Sequence, residues 1–175
     1  MSVPADGPVV VLVGPPAAGK TTVGRLLAER LGVDFVDSDD LVVERAGKPV
    51  SEIFVDEGED AFRALEADAV VEALGRDGVL ALGGGAVLSA ATRSRLAGRP
   101  VVFLAAGVPT SATRVGLNRD RPLLLGNPRQ MLRSLLDARL PLYEEVAAAT
   151  VVTDDLSPDE VADAVLAALP TATSR

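Results

Sequence analysis

The sequence predicts a three-layer α/β fold around one parallel sheet, and three observations carry the prediction. Five short strand-like runs alternate with helical patterns along the chain, the order in which helices cover both faces of a parallel sheet. The first run, 9–13, is apolar throughout, as a strand buried on both faces must be. It leads through Gly14-Pro15-Pro16-Ala17-Ala18-Gly19-Lys20-Thr21 into an amphipathic helix, so the G-x-x-x-x-G-K-[ST] pattern sits in the strand–loop–helix setting it requires.

That loop reads as a phosphate cradle. Small residues let successive backbone N–H groups turn inward around an anion, and the first turn of the next helix adds unpaired N–H groups and the positive end of its dipole. Gly14, Ala17, Ala18, Gly19 and Thr22 belong to the cradle, Lys20 reaches the β- and γ-phosphates, and the Thr21 hydroxyl ligates Mg²⁺. An accidental glycine-rich turn is the competing reading, and the correct flanks argue against it.

The elements follow in order. Val23, Leu26, Leu27 and Leu31 share one face of the first helix, which Gly32 stops. A short second strand over 34–37 ends in Asp37-Ser38-Asp39-Asp40. Carboxylates at the carboxyl end of a strand lie where α/β sheets bind ligands, although Ser38 or Asp39 also reads as the N-cap of the next helix. Spacing of two along extended chain turns Asp37 and Asp39 to one side, toward the loop. After the turn at Gly47-Lys48-Pro49, helix resumes at Ser51. A longer helix over 59–74 carries the stripe Phe62, Leu65, Ala69 and Val70, with Arg63 and Glu66 as i,i+3 neighbours. Spacing alone leaves that pair equally readable as a solvated face.

A third strand, 79–82, runs into Gly83-Gly84-Gly85. Three glycines there imply either backbone passing close to a ligand or a tight exit turn. A short helix over 89–96 and a strand over 101–104 come next. Residues 114–128, rich in Gly, Pro and charge, read as a lid. Helix returns over 130–140 with Arg139 at its end before Pro141-Leu142-Tyr143. The last strand is placed at 150–153. The last helix opens on the capping box Ser157-Pro158-Asp159-Glu160 and ends near Leu169.

Composition narrows the chemistry. Its 175 residues, 48% hydrophobic and 24% charged, suit one soluble domain over 1–175, with a core of about 9–169, substrate-side helices over about 38–74 and a tail over 170–175. There is no cysteine and no histidine, so thiol chemistry, Ser-His-Asp triads and histidine metal sites are excluded. A net charge of −8 argues against a nucleic-acid partner, no run is long enough to span a membrane, and a cytoplasmic monomer is expected. Fifteen of the seventeen cationic residues are arginines, the side chain that grips carboxylate and phosphate bidentately.

Five separated motifs resemble those of the shikimate kinases, small P-loop kinases related to the nucleoside monophosphate kinases. They are the GxxxxGKT loop, Asp37-x-Asp39, Phe62-Arg63-x-x-Glu66, Gly83-Gly84-Gly85, and Arg121-Pro-Leu-Leu followed by Arg-x-Pro-Leu-Tyr at 139–143. The resemblance implies a five-stranded sheet of order 2-3-1-4-5 and transfer of the γ-phosphoryl of ATP to the 3-hydroxyl of shikimate, with Mg²⁺. It implies that Asp37 holds the metal through water and that Asp39 binds the acceptor hydroxyl and takes its proton. By the same resemblance Arg63 and Arg139 grip the shikimate carboxylate, with Glu66 orienting Arg63. Gly84 and Gly85 offer backbone to its hydroxyls, Arg121 reaches the transferring phosphate from the lid, and Arg114 and Pro158 flank the adenine. Ala17 departs from the glycine usual in the family, which implies a slightly reshaped loop. A gluconate or nucleotide kinase, or a nucleotide-binding module without catalysis, are the alternatives.

Overall fold

The computed structural model describes residues 7–16, 18–106 and 128–169; the expected lid and tail lie outside them. Five strands, β1 (Val10–Val13), β2 (Phe35–Asp37), β3 (Val79–Ala81), β4 (Val101–Ala105) and β5 (Ala149–Val152), form one sheet in the order β2-β3-β1-β4-β5. All neighbours are parallel, with Leu12 paired to Ala81 on one side and to Val102 on the other. The order matches the one implied by resemblance. Central β1 therefore delivers its loop between the carboxyl ends of β3 and β4, where α/β sheets place ligands.

Alternation along the strands builds the three layers. Val10 and Leu12 face a core shared with α1 (Lys20–Leu31) and α7 (Pro158–Ala168), through Val23, Leu27, Val161 and Val165. Val11 and Val13 face the opposite core. There α2 (Ser38–Ala46), α3 (Val50–Glu57), α4 (Glu59–Leu74), α5 (Ala90–Leu96) and α6 (Pro128–Val146) contribute Leu41, Ile53, Phe62, Leu96 and Tyr143. Every β1 side chain is at most 1% exposed, which is why its sequence has no polar alternate.

Strand ends and the start of α3 shift by one residue from the expectation, and three larger differences have a physical cause. Asp37, not Ser38 or Asp39, caps α2, its carboxylate accepting the Asp39 N–H. Ser38 is already helical and fully buried. A 3₁₀ turn at Ala86–Leu88 separates the glycines from α5, which Ser89 caps. Most informative, α6 does not stop before Pro141 but runs through it to Val146. The proline ring removes one backbone donor and crowds the carbonyl a turn earlier. Packing overrides this: Tyr143 is 1% exposed and stacks on Phe103 with ring centroids 5.0 Å apart, and Val146 closes the same core. The capping box of α7 forms as expected, Ser157 Oγ accepting from Glu160 N–H and Glu160 Oε1 from Ser157 N–H.

Because Pro141 occupies a helix interior, Pro141→Ala restores a backbone donor at the cost of some unfolded-chain entropy. The variant is expected to be more stable by about 1 kcal/mol or more, read as a higher urea midpoint at unchanged slope. A lower midpoint would show that the ring is needed to shape this turn.

Candidate active site

The phosphate side of the site is built where β1 becomes α1. Gly19 caps the helix at φ 94°, a left-handed conformation that favours glycine. The backbone ladder of α1 begins with Val23 N–H on Gly19 O, which leaves the N–H groups of Thr21 and Thr22 at the open end of the helix. Lys20 Nζ donates to the carbonyls of Gly14 at 2.7 Å and Pro15 at 2.9 Å, fixing an ammonium group at the rim. Ala18 is buried beneath the loop. Gly14, Ala18, Gly19, Lys20, Thr21 and Thr22 thus lie together where β1 passes into α1, with the Ala18 N–H tied to Pro15 O. Ala17, Arg114 and Arg121 lie outside the described residues.

Thr21 Oγ1 donates to Asp37 Oδ2 at 3.0 Å, while Asp37 Oδ1 accepts the Asp39 N–H at 2.9 Å. Two hard oxygen groups thereby meet at the mouth of the loop. Among the described residues no cluster of three or more acidic side chains makes a metal cage. One hydroxyl and one carboxylate suit a Mg²⁺ that keeps most of its waters and arrives with a nucleotide. The chain turns helical at Ser38, so the spacing-of-two rule no longer carries the placement of Asp39. Its carboxylate lies beside the glycines: a Cβ placed on Gly83 would lie 2.6 Å from Asp39 Oδ1 and 2.8 Å from Glu66 Oε2.

The acceptor side is assembled from α4, the glycines and α6. Arg63 Nη1 donates to Glu66 Oε1 at 2.7 Å, and a weaker contact at 3.4 Å reaches Glu59. Glu66 is 3% exposed, so this pair is not a solvated face. Its other oxygen, Oε2, has no hydrogen-bond partner among the described residues. Arg139, 5% exposed, lies in the same cluster: its charge acts on Glu66 and it hydrogen-bonds Tyr143. The Arg63 guanidinium lies flat on Gly85, where a Cβ would stand 2.5 Å from Nη1, and a Cβ on Gly84 would stand 2.8 Å from Pro16 Cδ of the phosphate loop. The glycines are therefore a close-approach surface as well as an exit turn. Burial pushes the Glu66 carboxyl above the usual glutamate range, with Asp39 adding to the shift and Arg63 and Arg139 opposing it. Asp40 is likewise raised, by burial and then by Asp37. Pro158 stands at the first turn of α7, whose Asp159 and Asp163 are tied to Arg30 of α1.

Two participants had no assigned role from sequence. Ser38 Oγ accepts the Gly83 N–H at 2.9 Å, and the Tyr143 hydroxyl donates to Gly84 O at 2.6 Å. A tyrosine four residues after Arg139 on one helix was the available signal for the second. Ser38 carried none beyond its neighbours.

An anion cradle with a lysine, a metal-competent Thr–Asp pair and a facing pocket of arginines and carboxylates define a phosphotransferase of the P-loop class acting on a small anionic acceptor. Comparison with known proteins makes the class specific. The family model described as shikimate kinase matches residues 16–170. A shikimate kinase of Saccharopolyspora erythraea is 59% identical over 161 residues, covering 91% of this chain and 92% of that one. One of Thermobifida fusca is 55% identical over 166 residues, covering 94% and 96%. A solved structure, shikimate kinase from Acinetobacter baumannii in complex with shikimate, superposes with a TM-score of 0.87 at 42% identity over 93% of this chain and 92% of that one. The chain belongs to the shikimate kinase family. It is an enzyme, a kinase that uses ATP as co-substrate.

The raised Glu66 carboxyl has a stability consequence with a definite sign. The folded state holds its proton more tightly than the unfolded chain, so this contribution is complete below the ordinary value of 4.5 and is lost as pH rises through the folded value. Glu66→Gln, fixed in the neutral form, should lose ground to wild type at low pH and recover some of it above. The wild-type advantage in thermal midpoint should shrink as pH rises from about 4.5. Growth of that advantage with pH would mean that the Arg63 pair outweighs burial.

Proposed function

We propose that the protein transfers the γ-phosphoryl group of ATP to the 3-hydroxyl of shikimate, giving shikimate 3-phosphate in the route to aromatic amino acids. The observation that carries this reading is the Arg63–Glu66–Arg139 cluster facing Gly83–Gly85, directly across Pro16 from the phosphate cradle. A planar carboxylate is best held by paired guanidinium groups, and a polyhydroxylated ring needs backbone and carboxylate partners beside them.

Each group then has one task. The loop N–H groups and Lys20 hold the β- and γ-phosphates. Thr21 and Asp37 would hold Mg²⁺, Asp37 through water, and the ion supplies charge neutralisation between the phosphates. Arg63 and Arg139 fix the acceptor by its carboxylate, Glu66 orients Arg63, and the N–H groups of Gly84 and Gly85 receive ring hydroxyls. Asp39 binds the 3-hydroxyl and accepts its proton as the oxygen attacks phosphorus. Catalysis here is chiefly alignment of two substrates, which a site without histidine can supply. Arg121 reaches the transferring phosphoryl, and Arg114 and Pro158 flank the adenine. A net charge of −8 supports a small-molecule rather than a nucleic-acid partner, and a monomer is the proposed state. Among the described residues no helix is long and apolar enough to cross a membrane.

Coupled ADP release with shikimate, gluconate and AMP tests the reading. Turnover is expected with shikimate alone; equal turnover with gluconate would overturn the assignment. Arg139→Ala should weaken shikimate binding by about 2–4 kcal/mol, because its charged partner loses a desolvated counter-ion, and leave ATP binding unchanged in calorimetry. Arg121→Ala should lower kcat about a thousandfold with KM values little altered; kcat within threefold of wild type would remove Arg121 from the mechanism.

A further inference from the structure

Among the described residues the N–H groups of Gly84 and Gly85 donate to nothing, whereas the carbonyls sharing their peptide units are both engaged. Gly83 O accepts the Ala86 N–H at 3.0 Å, and Gly84 O accepts the Tyr143 hydroxyl at 2.6 Å. The described peptide bonds are trans, so each carbonyl and the following N–H point in opposite directions across one rigid plane. Tying Gly84 O to Tyr143 in the core aims the Gly85 N–H away from the core. The bond also polarises the amide and strengthens it as a donor.

We propose that Tyr143 is a positioning residue for phosphoryl transfer: its hydroxyl locks the Gly84–Gly85 peptide plane so that the Gly85 N–H is held toward a ring hydroxyl of the acceptor. The proposal rests on the shikimate reading given above. A lock is needed because this plane lies between two glycines, where the barrier to a peptide flip is lowest. No other described side chain donates to Gly84 O. The ring is itself immobile, 1% exposed and stacked on Phe103. Burial pushes the phenol up to about 12, so the group stays a donor across the working pH range.

Tyr143→Phe removes one oxygen and keeps the stacked ring. The expected result is a rise in KM for shikimate of about tenfold, the size of one lost hydrogen bond, with KM for ATP unchanged. Analogues of shikimate lacking single ring hydroxyls locate the effect. With the analogue missing the hydroxyl that Gly85 holds, wild type and variant should have equal KM, while the others keep the tenfold gap. A gap of the same size with every analogue, as loss of the Arg139 contact alone would give, overturns the proposal; so does a parallel rise in KM for ATP. Absence of shikimate-dependent ADP release by wild type would instead strike the underlying reading. Tyr143 is the single tyrosine of the chain, so ring-fluorinated tyrosine gives a second test that needs no folded variant. Its fluorine resonance should shift when shikimate is added and stay put with ATP, and the reverse pattern would contradict the lock.

Discussion

Everything on the acceptor side depends on one buried acid. Glu66 is a carboxylate taken almost wholly out of water, and such a group is stable only with cationic partners beside it. Arg63 supplies one at 2.7 Å, and Arg139 supplies charge from a different helix. The constraint propagates outward. Arg63 can reach Glu66 only by lying across Gly85, so that position has no space for a side chain. Gly83 is similarly hemmed by Asp39 and Glu66. The tight packing at Gly83 and Gly85 thus follows from one desolvated charge cluster. Removing Arg63 takes away the hydrogen-bonded cation of the acid, and breaking a buried pair costs about 3–5 kcal/mol.

The phosphate side obeys a separate constraint and is joined to the first at two places. Central β1 must be apolar on both faces, and its carboxyl end then has one exit, into the loop and α1. Thr21 meets Asp37 from β2, and Pro16 meets Gly84 from the β3 exit. On the proposed function these contacts fix the phosphate loop relative to the acceptor side. Sub-ångström placement of two reactants is worth several kcal/mol of barrier, so the contacts matter for rate although neither is strong.

Much of this was legible in the sequence. The α4 limits, the α7 capping box, the phosphate loop and the parallel sheet follow from local patterns, because each is decided by neighbours within one turn or strand. The limits of that reading have physical causes. The end of α6 was placed before Pro141 because local chemistry forbids proline in a helix interior, and only the long-range stacking of Tyr143 on Phe103 reverses it. Arg63–Glu66 read equally well as an exposed pair, since Glu66 is covered by groups from other elements, Gly83 after β3 and Asp39 of α2, that no spacing rule ties to α4. Asp39 was aimed by a strand rule although the chain is already helical at Ser38, so its place beside Gly83 followed from no spacing. Ser38 and Tyr143 bind backbone atoms of distant glycines, and no spacing rule connects them.

The central claim is that the two arginines and their shared acid form a grip for a carboxylate. It is tested most directly by calorimetric titration of the wild-type enzyme with shikimate and with its neutral carboxamide, which has nearly the same shape. The account predicts that the acid binds more tightly by about 2 kcal/mol or more, the value of charge-assisted hydrogen bonds in a desolvated site. Equal affinities for acid and carboxamide would contradict it.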